Sequence, residues 1–438
     1  MLALAAPVVI AEIGWVSMGT VDTLMVGRLG ASAIAAAGLS AMLFFTVMVF
    51  SMGLLLGLDP LVAQAFGARR LDECHRWLIT GVWLALIVAL PSVGVVFLLR
   101  AGLRYWGLPP DVLALVQPYL AILVWSLPPL LCYVAFRRYL QAMNIVRPIT
   151  IVLIAANVVN ALMNWILIFG HWGAPALGVR GSAYATLSAR IFMAVALLAV
   201  IVAHEAHMQP RLRDTPLSID VSRIRTLVQL GLPAGGQVLF EVGVFALATA
   251  LSGRVSASGL AANQIALNMA SLTFMVPYGI GSAGAVRVGH AIGRRDARGV
   301  RDAGWTAIGV GVVFMAFAAL VFLSFPAALM RAFTDDPAVV EIGIALLFVA
   351  AVFQMFDGLQ GVTTGVLRGL GDTRTPMFWN LGGHWLVGLP LGYSLCFRFG
   401  HGVVGLWWGL STGLMICGVA LLAAWTRESR LMGASRSF

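Results

Sequence analysis

Apolar runs of about 20 residues follow one another from the first residues of this chain almost to its last, and a run of that length is what an α-helix needs to cross the hydrocarbon core of a bilayer. Backbone N–H and C=O groups find no water there, so each run has to pair its own polar groups as a helix. Only 11% of the 438 residues are charged and 60% are apolar, against roughly a quarter charged in a soluble domain. A soluble globular enzyme is excluded, and the chain reads as a polytopic membrane protein.

All 28 basic residues are arginine, so the net charge of +10 is carried by a side chain that stays ionised at any working pH. The arginines sit in short gaps between apolar runs and form no basic face with interleaved aromatics, which argues against a nucleic-acid partner. The four cysteines, at 74, 132, 396 and 417, show no CxxC spacing and are not expected to form disulfides or a zinc site. No basic residue precedes Arg28, so the apolar start reads as a retained first helix rather than a cleaved leader. Because the chain enters that helix almost at once, a short stretch upstream is expected.

Twelve helices are expected, near 2–26, 35–66, 77–99, 112–136, 148–170, 181–203, 227–252, 260–289, 303–328, 338–367, 376–398 and 402–425. Counting Arg287 and Arg398, at the ends of their helices, with the gaps that follow, the gaps after the even-numbered helices and the C-terminal tail hold 20 arginines, and the alternate gaps hold seven. That alternation is what the positive-inside rule demands of an even number of spans with both termini cytoplasmic.

The longest polar interruption, 204–226, reads as a cytoplasmic linker between a six-helix lobe at 1–203 and a second at 227–425, followed by a tail at 426–438. Pro7, Gly27, Ala31, Ser32, Ala35, Ala36, Gly53, Gly67 and Arg69 recur 226 residues later as Pro233, Gly253, Ala257, Ser258, Ala261, Ala262, Gly279, Gly293 and Arg295. Each copy has an even number of spans, so the copies are parallel and related by an axis along the membrane normal, an arrangement expected to surround a central cavity. Pro7 and Pro233 each remove a helical hydrogen bond at matching places, which suits either a moving helix or a static kink.

An ionisable side chain in the bilayer centre costs about 3 kcal/mol even on lenient scales, so each buried acid is a functional candidate. Glu12 and Asp22 lie in the first helix, Asp59 in the second, Glu241 in the seventh and Asp357 in the tenth. Arg190 is the only arginine read away from the ends of a span, so these acids are expected to face water, bind cations or hold protons rather than all be neutralised internally. Asn157, Asn160 and Asn164 share one face of the fifth helix. With Asp22 and Thr186 they form a candidate oxygen cage for a hard cation, although asparagines also tie helices together. Glu241 and Asp357 have small or polar neighbours, and two carboxylates sharing one low-dielectric site accept a cation or proton in preference to double ionisation. Their repeat counterparts are apolar: Glu241 corresponds to Trp15, and Asp22 to Ala248. Glu12 and Asp59 carry less, and Asp59 near a cytoplasmic end is expected to be wet. Gln264 and Asn268, with Phe274, Tyr278, Phe353 and Gln354, are candidates for lining a cavity for a flat lipophilic cation, core packing being the alternative.

Together these residues resemble the multidrug and toxic compound extrusion (MATE) family, in its NorM-like branch. The resemblance is carried by Pro7, Val21-Asp22-Thr23 and Val26-Gly27; Gln64 with Gly67-Ala68; Asn160 with Asn164-Trp165; and Gly173-Ala174-Pro175 with Ala185-Thr186. The second half adds Gly231-Leu232-Pro233, Phe240-Glu241, the run from Asn263 to Asn268, Arg287-Val288-Gly289-His290 and Leu367-Arg368-Gly369. It implies an all-α exporter with twelve transmembrane helices in two lobes, placed in a bacterial inner membrane. Such an exporter moves lipophilic or cationic drugs outward against inward Na+ or H+, with no other cofactor, and acts as a monomer. Carried over by position, Glu241 and Asp357 form the C-terminal coupling site, and Asp22, Asn160, Asn164 and Thr186 the N-terminal one. One departure stands out: sodium-coupled members have a tyrosine where this chain has Phe353. A major-facilitator-type carrier and a lipid-linked-substrate flippase are the rival carriers. No HExxH or GxSxG spacing supports an intramembrane enzyme.

Overall fold

The computed structural model describes residues 2–206, 209 and 211–434. His207, part of the expected linker, and the last four residues of the expected tail lie outside the described residues. Twelve long helical segments follow in order: α1 (Leu2–Gly27), α2 (Ala31–Gly67, with a 3-10 turn at Leu55–Gly57), α3 (Leu71–Tyr105), α4 (Pro110–Ala142, with a 3-10 turn at Val124–Ser126), α5 (Arg147–Phe169) and α6 (Val179–Glu205). Then come α7 (Val221–Val255), α8 (Ala257–Gly293), α9 (Ala297–Ser324), α10 (Pro337–Leu370), α11 (374–398) and α12 (Gly402–Ala434). Among the described residues there is no strand.

Eleven of these helices are long and apolar enough to cross a membrane. The twelfth, α11, is helical throughout but alternates α-turns with π-turns at Leu381–Gly388 and Ser394–Arg398. Pro390 supplies the reason, since it lacks an N–H and crowds the carbonyl four residues earlier, which widens the turn before it. α12 continues through Ala434, so most of the expected tail is helix.

The chain divides into two compact units. One is Ile10–Gly235; the other runs from Gly236 onward and includes the start of α1 through Val9. The division falls two residues after Pro7 in α1 and two residues after Pro233 in α7. In the first unit the segment before α7 and the first turn of α7 are anchored on α3: Trp83 donates its indole N–H to Leu217 O at 2.9 Å, and Arg223 makes two bonds to Glu73 at 2.8 and 3.0 Å. In the second unit α10 packs along both α8 and α12. The approach of α10 to α8 is close enough that a Cβ on Gly365 would lie 2.2 Å from Gly281 O, so only glycine fits there.

Candidate functional site

α10 leaves its Pro-led start at Pro337, capped by the Asp336 carboxylate on Ala338 N, and carries Gln354, Asp357 and Gln360 inward. These three are 0%, 5% and 2% exposed. Glu241 comes from α7 and Asn380 from the first turns of α11. Glu241 Oε2 accepts from Gln360 Nε2 and from Asn380 Nδ2, each at 3.4 Å. Gln237, one turn earlier on α7, lies beside Glu241, and Asp357 lies close enough to feel its charge. Neither carboxylate makes an ion pair among the described residues.

The two amides that donate to Glu241 each keep a buried oxygen with no hydrogen-bond partner, Gln360 Oε1 and Asn380 Oδ1, and the same holds elsewhere on α10 for Gln354 Oε1, Thr363 Oγ1 and Thr364 Oγ1. Buried acceptors left over in this way cost about 1–3 kcal/mol each, and a hard cation is the partner that carboxylate, amide and hydroxyl oxygens share. The donor set therefore fits Na+ as well as a proton. Phe353, one turn before Asp357 on α10, is 2% exposed and packed edge-on against Phe245 at 5.9 Å and beside Trp407 at 5.8 Å, in an apolar cluster with Ala270 and Leu414. Gln354 donates to Thr273 Oγ1, tying α10 to α8. Phe274 and Tyr278, partly buried, have ring centroids 6.2 Å apart, and Gln264 and Asn268 are exposed one turn apart on α8.

In the first unit three helices bring Asp22, Asn160, Asn164 and Thr186 together. Asp22 Oδ1 accepts from Asn164 Nδ2 at 2.6 Å and Oδ2 from Thr186 Oγ1 at 3.0 Å, while Asn164 also donates to Asn160 Oδ1 at 3.2 Å. Asn157 is not part of this cluster: its amide donates to Gly14 O at 3.0 Å and Leu153 O at 2.9 Å, joining α5 to α1.

Two acids are neutralised internally, contrary to the expectation from sequence. Arg137 is hydrogen-bonded to Glu12, and Arg138 lies 3.4 Å from Asp59, with all four side chains buried. The sequence reading ended the fourth helix at residue 136 and placed both arginines in a loop; α4 instead runs on to Ala142 and buries them. Asp59, expected to be wet, is 1% exposed. Sequence reasoning also passed over Asn380 and the fully buried His384, one turn further along α11, whose Nε2 has no partner. A lone asparagine near the start of a span gives no periodic signal that would single it out.

Comparison with known proteins gives a match that occurs twice along the chain. The family description MatE matches residues 7–166 and again 233–394, two stretches that start 226 residues apart. The chain belongs to the MatE family. MatE membership places it among transporters rather than enzymes and sets aside the major-facilitator alternative. Its relatives include a probable multidrug resistance protein NorM of Mesorhizobium japonicum, 39% identical over 437 residues and covering 98% of this chain and 94% of the relative. Another, of the same description, from Brucella suis, is 36% identical over 436 residues, covering 98% and 92%. Among solved structures, one described as the outward-facing conformation of a multidrug resistance MATE family transporter of the MOP superfamily has a TM-score of 0.86 over 99% of this chain and 96% of its own. Its sequence identity is 18%, so that likeness concerns the MatE fold alone.

Proposed function

We propose that this protein exports lipophilic organic cations from a bacterial cell in exchange for inward Na+ or H+, with Glu241 and Asp357 holding the coupling cation. The names of the NorM relatives support the drug class. The observation that carries the coupling role is the pair of acids on α7 and α10, Glu241 held by two amides whose own oxygens are unpartnered and neither acid ion-paired among the described residues.

Two carboxylates in one low-dielectric site are costly while both are charged and empty. A sodium ion, a proton or a cationic drug each relieves that cost, and because they draw on the same negative charge, loading one displaces another. Alternating exposure of the site to the two sides of the membrane then links outward drug to inward cation. The protein would lie in the inner membrane as a monomer with both termini cytoplasmic, following the arginine alternation.

Purified protein in liposomes, loaded with a fluorescent cationic dye, tests this under an imposed Na+ gradient and separately under a pH gradient. Dye movement driven by either gradient, and lost in the Glu241→Gln/Asp357→Asn double variant at equal reconstitution, is the expected result. Undiminished exchange by the double variant would overturn the assignment.

A further inference from the structure

Buried charge is distributed differently in the two units. In the first, Glu12 is paired with Arg137, Asp59 with Arg138, and Glu205 with His75 at 2.7 Å, the last also accepting from Tyr139 at 2.9 Å. In the second, Glu241 and Asp357 have no such partner among the described residues. The chain contains no lysine, so only arginine or histidine can balance a buried acid.

Asp22 belongs to the first pattern, although no arginine touches it. Arg190 lies one helical turn beyond Thr186 on α6, 8% exposed. One of its terminal nitrogens donates to Ser126 Oγ at 2.5 Å, and its guanidinium sits 4.7 Å over the Phe44 ring. Among the described residues it makes no ion pair. It is nonetheless a near neighbour of Asp22, since Thr186, one turn away on the same helix, donates to Asp22 Oδ2 at 3.0 Å, and over such a separation charges act on each other strongly where water is excluded. A guanidinium stays protonated in a protein, so this positive charge is permanent. The oxygens a sodium ion would want are present, and Asn164 Oδ1 has no partner. What the cluster lacks is spare negative charge.

Resting on the reading of Glu241 and Asp357 given above, we infer that Arg190 is the built-in counter-cation of Asp22, that it keeps Na+ out of the Asp22, Asn160, Asn164 and Thr186 cluster, and that it leaves the second unit as the sole seat of the coupling cation. Adding a cation beside Asp22 gives a net positive charge with nothing to offset it, and protonating Asp22 strands the guanidinium in the same way.

The test measures binding of radioactive sodium to purified protein in the Glu241→Gln/Asp357→Asn background, where the second unit no longer contributes. That background is expected to bind no sodium. Adding Arg190→Gln is expected to create one site per chain, abolished by further adding Asp22→Asn; Arg190→Lys, which keeps the charge, creates none. Sodium bound with Arg190 intact and lost with Asp22→Asn would overturn the inference, as would a folded Arg190→Gln protein that gains no sodium. Should Arg190→Gln fold poorly, the cycle of Arg190→Gln, Asp22→Asn and their combination in the otherwise native protein decides by melting temperature: the combination is expected to melt closer to the native protein than additivity of the two single losses allows, and strict additivity would overturn the inference. Dye exchange by the Glu241→Gln/Asp357→Asn protein reports separately on the coupling assignment, so the two failures are distinguishable.

Discussion

Arg69 and Arg295, 226 residues apart, share a left-handed backbone conformation, with φ of 59° and 57°. Each follows the end of a helix whose last turn is closed in the same way: Arg69 N bonds to Phe66 O and Arg70 N to Ala65 O, as Arg295 N does to Ile292 O and Asp296 N to Ala291 O. The internal repeat therefore extends to the backbone of a single strained residue. Placing an L side chain in this region costs about 1–2 kcal/mol, most for β-branched residues.

Arg69→Val and Arg295→Val are accordingly expected to lower stability by about 1 kcal/mol each, while Arg69→Gly and Arg295→Gly cost nothing by this route. Melting temperatures of the four detergent-purified variants test the equivalence. A valine penalty at one position without the other would show that the two turns are not energetically alike.

A buried ion pair behaves asymmetrically. Asp59 and Arg138, 1% and 4% exposed, lie 3.4 Å apart, and removing one partner leaves a buried charge, at a cost of about 3–5 kcal/mol. Asp59→Ala alone is expected to melt far below the native protein, and Asp59→Asn/Arg138→Gln to recover most of the loss. A double variant no better than the single one would mean that the pair's charges are compensated elsewhere.

How far the sequence reaches is visible in these same residues. The apolar runs, the arginine alternation and the 226-residue offset depend on composition and spacing, which local physics enforces. Asp22, Asn160, Asn164 and Thr186 were traceable for the same reason, since helical periodicity puts the asparagines on one face. Arg137 and Arg138 were misread because a double arginine usually ends a span, and the carboxylates they meet on α1 and α2 help make burial tolerable. Pairing across helices is tertiary information. The π-turns of α11 and the bonding of Asn380 to Glu241 have the same origin, and neither leaves a periodic trace.

The bonds that Glu241 accepts from Gln360 and Asn380 are long, 3.4 Å each. A net contribution of about 0.5–1.5 kcal/mol apiece corresponds to roughly two- to tenfold in an equilibrium constant. Asn380→Ala and Gln360→Ala are therefore expected to raise the half-saturating concentration of the coupling cation by that factor without abolishing dye exchange. Complete loss in either variant, with folding intact, would assign that amide a larger part than holding Glu241.

Phe353 stands where a hydroxyl would be expected in a sodium-coupled member, and its ring is buried against Phe245 and Trp407. A phenolic oxygen introduced there enters an apolar cluster, and an unpartnered buried hydroxyl costs about 1–3 kcal/mol. Phe353→Tyr is expected to lower the melting temperature and to leave the preference between Na+ and H+ gradients unchanged. A shift toward sodium-driven exchange would show that the new hydroxyl reaches the carboxylates.

The packing of α8 on α10 offers the sharpest structural test, because α10 carries both Asp357 and Gln360. A Cβ on Gly365 would meet Gly281 O at 2.2 Å, and a backbone carbonyl inside a helix cannot rotate away as a side chain can. The helices must separate, at a cost of about 1–3 kcal/mol or more, and that shift moves Asp357 relative to Glu241 on α7. Gly365→Ala is thus expected to lower both the melting temperature and the rate of dye exchange. Gly382 on α11 provides the control: a Cβ there has nothing within 4 Å, so Gly382→Ala should melt at or slightly above the native temperature, since alanine is the better helix former. Indistinguishable behaviour of the two variants would mean that the close approach of α8 and α10 is not what holds Asp357 in place.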